Sequence, residues 1–256
     1  MELYFLIKTC KRSDAKSINV ILPFYPYCRQ DKKDFPRGAI CARDMADLLE
    51  SAGANRVVTF RLHNPAIQGF FTIPVDNLYC DSYILSFLKN IIKDNKDNYV
   101  LVSPDEGALK MTKVYASGLK IPMVYFCKER DYTKQNVVEN SNLIGNKKYV
   151  VGRHAIIIDD MCDTFGSLNK AISLLEKKGV IDVIIVVTHG ILSGPAIDRL
   201  NKCKMVKTLL TSDSLPQRKN LQLCDKIKTF TISDQIVEVI KRLESGRSIS
   251  EMFQKK

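Results

Sequence analysis

Short and mostly continuous apolar runs recur along the chain, and their length predicts strands. They lie at 18–24, 56–62, 99–103, 121–126, 154–159 and 183–189. Because they do not alternate with polar residues, they favour strands that are buried on both faces. Helical patterns separate them, at 39–52, 81–93, 106–119 and 167–178. Strands that alternate with helices predict an α/β fold with parallel sheets and flanking helices.

Two segments of the chain echo each other without a gap, LLESAGANRVVTFRLH (48–63) and LLEKKGVIDVIIVVTH (174–189). In each, a helix is predicted to end at a glycine, Gly53 or Gly179, and a strand then carries a histidine to its end. Two ordinary αβ units could share such features by chance. Two related lobes explain the echo more economically.

A lobe boundary is predicted near 74–82, where Pro, Asp and Asn precede a new helical pattern. The expected lobes are 1–80 and 81–256, with the C-terminal end of the chain packing back on the first lobe. The segment 127–150 is polar, long and poorly periodic, which is typical of a functional or disordered segment.

Composition narrows the class of protein. The chain has 256 residues, 45% hydrophobic and 26% charged, which is globular rather than disordered. No apolar run is long enough to span a bilayer, and the first residues do not resemble a signal peptide. The eight cysteines form no CxxC pair and the three histidines lie far apart, which indicates reduced thiols in the cytoplasm and argues against zinc.

The formal charge of +11 raises the question of nucleic acid. Lys and Arg are dispersed, however, and no module that combines basic and aromatic residues is present. We therefore expect neither a nucleic-acid nor a membrane partner. A positive field also suits small molecules that carry phosphate.

The segment 156–171, IIIDDMCDTFGSLNKA, combines an apolar strand, three acids, a Thr/Gly/Ser loop and a helix. The first amides of a helix lack internal partners and, with the helix dipole, attract an anion. Carboxylates accept hydrogen bonds from vicinal hydroxyls. A ligand with a phosphate at one end and a diol at the other, such as ribose 5-phosphate, satisfies both halves. The plainer alternative is an Asp N-cap with spare acids on a solvated turn.

With these residues in view, the chain resembles the ribose-phosphate pyrophosphokinase family, also called phosphoribosyl pyrophosphate synthetase. The motifs that carry the resemblance occur in order across essentially the whole chain. They are PYCRQDKKD (26–34), AGANRVVTFRLHNPAIQGFFTIPVDNL (52–78), SPDEGA (103–108), CKER (127–130), IDDMCDTFGS (158–167) and THGILSGPAI (188–197).

The resemblance implies two tandem type I phosphoribosyltransferase-like lobes, with ATP on the first and ribose 5-phosphate on the second. It implies a magnesium-dependent transfer of pyrophosphate from ATP to ribose 5-phosphate, with release of AMP, for nucleotide biosynthesis. Such chemistry asks mainly for positioning and charge neutralisation.

The resemblance also assigns roles to individual residues. Lys128 and Arg130 match a cationic pair in a mobile catalytic loop. The ATP-binding residues are Arg29, Gln30, Asp34 and His63, and the metal residues are His63, Asp76 and Asp105. The ribose 5-phosphate residues are Asp159, Asp160, Asp163, Thr164, Gly166 and Ser167. Taken alone, most of these positions would pass for exposed charges or a structural histidine.

Three positions depart from the family pattern. Arg61 and Thr72 stand where the family has acids near the metal, which predicts weaker cation binding there. Ala108 replaces a glycine, so the turn is strained if that position needs a positive φ.

The start of the chain differs as well. Met1 falls where the family has a mid-domain helix, so the first lobe is expected to be incomplete. The helix is expected to bury a stripe formed by Leu3, Leu6, Ile7 and Cys10. An uncovered edge strand would then make the chain alone prone to aggregation or poorly active.

Three functions remain open at this point. The first is the enzyme itself, as a homo-oligomer or in association with a full-length synthetase subunit. The second is a catalytically weak homologue that regulates such a subunit. The third, a phosphoribosyltransferase that consumes the product, is disfavoured because the RQDKKD, QGFF and KER motifs belong to the synthetase.

Overall fold

The computed structural model describes residues 1–33, 35–93, 95–129 and 140–253. The strands in chain order are β1 (Asn19–Leu22), β2 (Arg56–Phe60), β3 (Val75–Leu78), β4 (Tyr99–Ser103), β5 (Met123–Glu129), β6 (Asn140–Ile144), β7 (His154–Cys162), β8 (Asp182–Gly190), β9 (Val206–Ser212) and β10 (Ile227–Phe230). The α-helices are α1 (Glu2–Arg12), α2 (Cys41–Ala52), α3 (Asp81–Ile92), α4 (Leu109–Leu119), α5 (Gly166–Lys177), α6 (Ala196–Lys202), α7 (Arg218–Leu223) and α8 (Ser233–Glu244).

The chain divides into two compact units. Unit 1 comprises Met1–Cys80 together with the C-terminal segment that begins at Ile232, and unit 2 comprises Asp81–Thr231. The C-terminal segment joins unit 1 through Gln235, whose side-chain amide donates to the Tyr79 carbonyl at 3.1 Å.

Unit 1 is built on a three-stranded parallel sheet in the order β1-β2-β3. The central strand, β2, is buried along four of its five residues, which explains why its apolar run is continuous. Its register places Val57 beside Val75 and Phe60 beside Leu78. Helices α1 and α2 pack against each other in this unit.

Unit 2 is built on a seven-stranded sheet in the order β10-β9-β8-β7-β4-β5-β6. Neighbouring strands are parallel, except that β6 runs antiparallel to β5 at one edge. The central strands β7 and β8 have buried apolar residues on both faces, and α4 packs on β4, β5 and β7. The prediction of an α/β fold with parallel sheets and flanking helices is confirmed.

The apolar runs locate the central strands well. β4 matches its predicted run, and α2, α3 and α5 lie within two residues of their predicted bounds. The two segments that echo each other in sequence also share a backbone conformation at the end of their helices. Gly53 and Gly179 both follow a helix with positive φ, 117° and 84°, where a side chain would be strained.

Helix α1 corrects one expectation. Of the predicted stripe, only Ile7 is buried, while Leu6 is 61% exposed. The neighbouring Phe5 is exposed as well. The apolar positions are therefore spread around more of the helix than a single stripe allows.

None of the described helices combines the length and the apolar character that crossing a bilayer requires. None of the eight cysteines, all of which lie among the described residues, forms a disulfide.

Gly190 ends β8 at a point where the sheet leaves no room for a side chain. An added Cβ would lie 2.9 Å from Oγ1 and 3.0 Å from Cγ2 of Thr211, a fully buried residue of β9. We expect Gly190→Ala to lower the free energy of unfolding by about 1–3 kcal/mol, as overpacking does. Urea denaturation followed by circular dichroism measures it.

Thr211→Ala removes both crowded atoms. In a protein that already carries Thr211→Ala, adding Gly190→Ala is therefore expected to lower the free energy of unfolding by less than it does in the parent. Gly69→Ala is the control, because its added Cβ meets nothing within 4 Å. A Gly190→Ala protein as stable as the parent would contradict the close approach.

Candidate functional site

The segment with three acids forms the carboxyl end of β7 and the start of α5. Asp159 and Asp160 lie within β7, which continues to Cys162, and α5 begins at Gly166. The strand is thus three residues longer than predicted. The acids are therefore held by the sheet itself, at the edge where ligands bind in parallel α/β structures.

Residues 163–165 form the turn between β7 and α5; together with Gly166, the first residue of α5, we call them the phosphate loop. Phe165 adopts a left-handed conformation with φ 63° and ψ 8°, and its side chain is buried in the core of unit 2. Gly166 is closely surrounded, since an added Cβ would be in van der Waals contact with Arg199 Nη1 at 3.4 Å and with Thr164 Oγ1 at 3.5 Å. Ser167 and Thr164 are exposed beside the first amides of α5.

The acids of this site are held by local hydrogen bonds. The backbone N–H of Asp160 donates to Asp159 Oδ1 and that of Met161 to Asp160 Oδ1, both at 2.9 Å. Burial raises the pKa of Asp159 well above its ordinary value, and the carboxylates of Asp160 and Asp105 raise it further. Asp105 therefore contributes to the negative charge around Asp159.

The turn that carries Asp105 is unstrained. Asp105 Oδ1 accepts the backbone N–H of Ala108 at 3.2 Å, and the Ser103 hydroxyl donates to the Asp105 carbonyl at 2.7 Å. Ala108 has φ −82°, so the strain foreseen for a position that needs a positive φ does not arise.

Two residues of this site were missed by the sequence reasoning. The Ser193 hydroxyl donates to Asp163 Oδ1, and Arg199 Nη1 donates to the Thr164 carbonyl at 2.9 Å. Ser193 lies between β8 and α6, and Arg199 lies on α6. In the sequence both look like ordinary exposed polar residues, and the THGILSGPAI motif was the only signal near them.

In unit 1, the predicted ATP residues lie on two neighbouring loops. Arg29 and Gln30 are exposed between β1 and α2, and His63 is exposed after β2. The Asn64 side-chain amide donates to Asp31 Oδ2 at 2.6 Å and so ties these loops together. Asp34 lies outside the described residues.

Asp76 does not join His63. It lies in β3 level with Val58, whereas His63 lies beyond the end of β2, and Asp76 Oδ2 forms an ion pair with Arg56 Nη1 at 2.6 Å. Arg56 and Asp76 line a cavity of about 330 Å³ together with Arg242 and residues 246–250. Across the described part of the chain, no group of three or more His, Cys, Asp or Glu residues could hold a metal ion.

Thr72 and Arg61, which stand where the family has acids, both make contacts within the structure. Thr72 donates through its backbone N–H to Glu50 Oε1 at 2.6 Å and through its hydroxyl to Glu50 Oε2. Arg61 is 8% exposed, with its guanidinium 4.8 Å from the Tyr79 ring centroid. An acid at 72 would repel Glu50, and the arginine at 61 gains a cation–π contact.

Only the backbone of one member of the predicted catalytic pair, Lys128, lies among the described residues. Lys128 belongs to β5, where its backbone is paired with Ser141 of β6. Its side chain and the whole of Arg130 lie outside the described residues, so their roles stay predictions.

Comparisons with known proteins now decide the family. A model of the N-terminal domain of ribose phosphate pyrophosphokinase matches residues 1–53, and a model of the phosphoribosyl synthetase-associated domain matches residues 140–254. A ribose-phosphate pyrophosphokinase of Chlorobaculum tepidum is 43% identical over 256 residues, which is 100% of this chain and 76% of that protein. The chain belongs to the ribose-phosphate pyrophosphokinase family.

Other members of the ribose-phosphate pyrophosphokinase family agree. Ribose-phosphate pyrophosphokinase 2 of Schizosaccharomyces pombe is 40% identical over 253 residues, 99% of this chain and 77% of its own. The crystal structure of phosphoribosylpyrophosphate synthetase from Mycobacterium smegmatis superposes with a TM-score of 0.87 at 35% identity, covering 96% of this chain and 78% of that one. The predicted resemblance and fold class are confirmed.

Proposed function

We propose that this chain is a ribose-phosphate diphosphokinase, which transfers the pyrophosphoryl group of ATP to the anomeric hydroxyl of ribose 5-phosphate and releases AMP. The observation that carries the proposal is the β7–α5 segment, where sheet-held carboxylates precede the exposed start of a helix. Relatives about 40% identical over nearly the whole chain carry the name of this enzyme.

Ribose 5-phosphate binds at the phosphate loop in this proposal. The amides of Gly166, Ser167 and Leu168 precede the first α-helical hydrogen bond of this turn, in which the Asn169 N–H donates to the Phe165 carbonyl at 3.0 Å. Together with the dipole of the twelve-residue helix α5, they attract the phosphate. The carboxylates of Asp159 and Asp160 accept hydrogen bonds from the ribose hydroxyls.

ATP binds to unit 1 in this proposal. Arg29 stacks on the adenine ring, while Gln30 and Asp34 read its polar edge. His63 lies on the loop that Asn64 ties to Asp31, so the base-binding and phosphate-binding residues share one support.

Magnesium fits unit 2 better than it fits the set of His63 and Asp76. This ion is usually held by one or two carboxylates together with substrate phosphates, and not by a cage of protein ligands. Asp105 is such a carboxylate, and its charge, with that of Asp160, adds to the burial that raises the pKa of Asp159. When bound, magnesium neutralises charge on the ATP phosphates.

The enzyme is favoured over a regulatory homologue because the departures at 61 and 72 have structural partners and the named relatives are enzymes. The deciding experiment measures AMP release from ATP with and without ribose 5-phosphate. Release that requires ribose 5-phosphate supports the enzyme, and none under any condition refutes it. Association with itself or with a full-length synthetase subunit is a further proposal, which sedimentation tests.

Asp160→Asn and Thr164→Ala are each expected to weaken ribose 5-phosphate binding by about 1–3 kcal/mol, because each loses a hydrogen bond to a charged or polar ligand group. Isothermal titration calorimetry measures the affinity. Thr164→Ser keeps a hydroxyl and is expected to bind nearly as the parent does.

Asp198→Asn is the matched control, since Asp198 is an exposed acid on α6. Unchanged affinity in both Asp160→Asn and Thr164→Ala would exclude this loop as the binding site.

A further inference from the structure

The phosphate loop holds a conformation that its own residues do not favour. Phe165 occupies the left-handed region, which costs a residue with a side chain roughly 1–2 kcal/mol. Strain of this kind persists only where surrounding contacts fix it. The buried Phe165 ring is one such contact, and the Ser193 hydroxyl on Asp163 is another.

We infer that Arg199 is a positioning residue for ribose 5-phosphate, and that its hydrogen bond to the Thr164 carbonyl keeps the phosphate loop in its binding conformation. The identity of the ligand rests on the proposed function. The role in holding the loop rests on the geometry of the chain alone.

The contact fixes the peptide unit that enters the strained residue. Arg199 Nη1 donates to the Thr164 carbonyl at 2.9 Å. This hydrogen bond opposes rotation of the peptide unit between Thr164 and Phe165. The amides that follow, from Gly166 onward, then point out of the start of α5.

Arg199 is presented by a firmly held helix. Lys226 Nζ donates to three carbonyls at the end of α6, those of Leu200, Asn201 and Cys203, at 2.9, 3.2 and 2.7 Å. The Asn201 side chain donates to the Leu223 carbonyl at 2.9 Å. Leu200 is fully buried. Because the helix is fixed, Arg199 can hold the loop in place instead of moving with it.

Among the described residues, no carboxylate forms an ion pair with Arg199, so none neutralises its charge. Its guanidinium lies next to Gly166, where any side chain would approach it. The Arg199 guanidinium therefore lies within one carbon atom's contact distance of the start of α5, where it adds positive charge beside the first amides.

The experiment compares the parent chain with Arg199→Met, Arg199→Lys and Lys202→Met. Methionine keeps length but removes the donor and the charge, whereas lysine keeps both in part. Lys202 is an exposed cation on the same helix with no role in the loop, so Lys202→Met tests charge alone.

Two readouts are taken. The first is hydrogen–deuterium exchange of the Asn169 amide in the ligand-free protein, which reports the first turn of α5. The second is the affinity for ribose 5-phosphate, together with the KM for each substrate. We expect Arg199→Met to speed the exchange and to weaken ribose 5-phosphate binding about tenfold, as loss of a hydrogen bond from a charged donor would. The KM for ATP and kcat stay as in the parent.

Arg199→Lys is expected to recover most of the affinity, and Lys202→Met to behave as the parent. Unchanged exchange in Arg199→Met overturns the inference whatever the affinity. Equal losses in Arg199→Met and Lys202→Met overturn it too, because charge alone would then explain them. If the parent does not bind ribose 5-phosphate, the proposed function fails, and the exchange readout still decides the role of Arg199.

Discussion

Replacing Phe165 with alanine is expected to lower the free energy of unfolding by about 3–5 kcal/mol, as truncation of a buried aromatic residue does. The ring is 2% exposed and packs in the core of unit 2 with residues of β7, α5 and α6. It is also the anchor of the phosphate loop. Urea denaturation measures the loss, and ribose 5-phosphate binding should fall in the same variant.

The left-handed conformation of Phe165 allows a control that compares glycine, alanine and leucine at this position. At most positions glycine is less stable than alanine, but here φ is 63°, and glycine relieves about 1 kcal/mol of strain. Phe165→Gly is therefore expected to be at least as stable as Phe165→Ala, and Phe165→Leu to be more stable than both. Glycine as the least stable of the three would refute the left-handed conformation.

Alanine at Lys128 or Arg130 is expected to lower kcat by about 100- to 1,000-fold, the range seen when a group that stabilises transition-state charge is removed. Negative charge on the transferred pyrophosphoryl group is greatest in the transition state, so a cation there acts mainly on kcat. The expectation rests on the CKER motif and on the place of Lys128 at the end of β5. Steady-state kinetics with both substrates measures it.

Lys113→Ala serves as the control, since Lys113 is an exposed cation on α4 in the same unit. A rise in KM with unchanged kcat in the Lys128 and Arg130 variants would show that the pair captures substrate and takes no part in the chemistry.

The sequence predicts inner strands such as β7 and β8 because a strand that is buried on both faces has a continuous apolar run. It does not predict β9, an inner strand whose apolar run is interrupted by Lys207 and Thr208. β3 was taken as a boundary because Pro74, Asp76 and Asn77 look like turn residues. Its pairing with β2 decides its structure, and that partner lies about twenty residues away along the chain.

The outer strands were missed for a related reason. β10 is four residues long and exposes Lys228 and Thr229, so its sequence resembles a surface loop. β6 runs antiparallel at the edge of the sheet, inside a polar segment with no periodicity. Edge strands bury less than central ones and leave a weaker pattern.

In the candidate site, too, the sequence predicts some residues and misses others. The acids and the Thr/Gly/Ser loop are contiguous, so their chemistry is visible in sixteen residues. Ser193 and Arg199 reach that loop from positions 30 and 35 residues away, and only the folded chain brings them together. Asp76, which the motif assigns to the metal, forms an ion pair with Arg56, a contact that the sequence did not predict; its role in metal binding stays a prediction.

Cys162 gives the protein a built-in chemical probe. Burial raises the pKa of its thiol to about 12, and the carboxylates of Asp159 and Asp163 add to the effect. Alkylating reagents attack the thiolate, which is nearly absent from such a thiol at neutral pH. Cys162 is 2% exposed and is the last residue before the phosphate loop, so we expect the thiol to react when the loop moves away from it. The rate at which iodoacetamide modifies Cys162 would then report opening of the loop, and a ligand that holds the loop in place is expected to lower that rate without any label having been introduced.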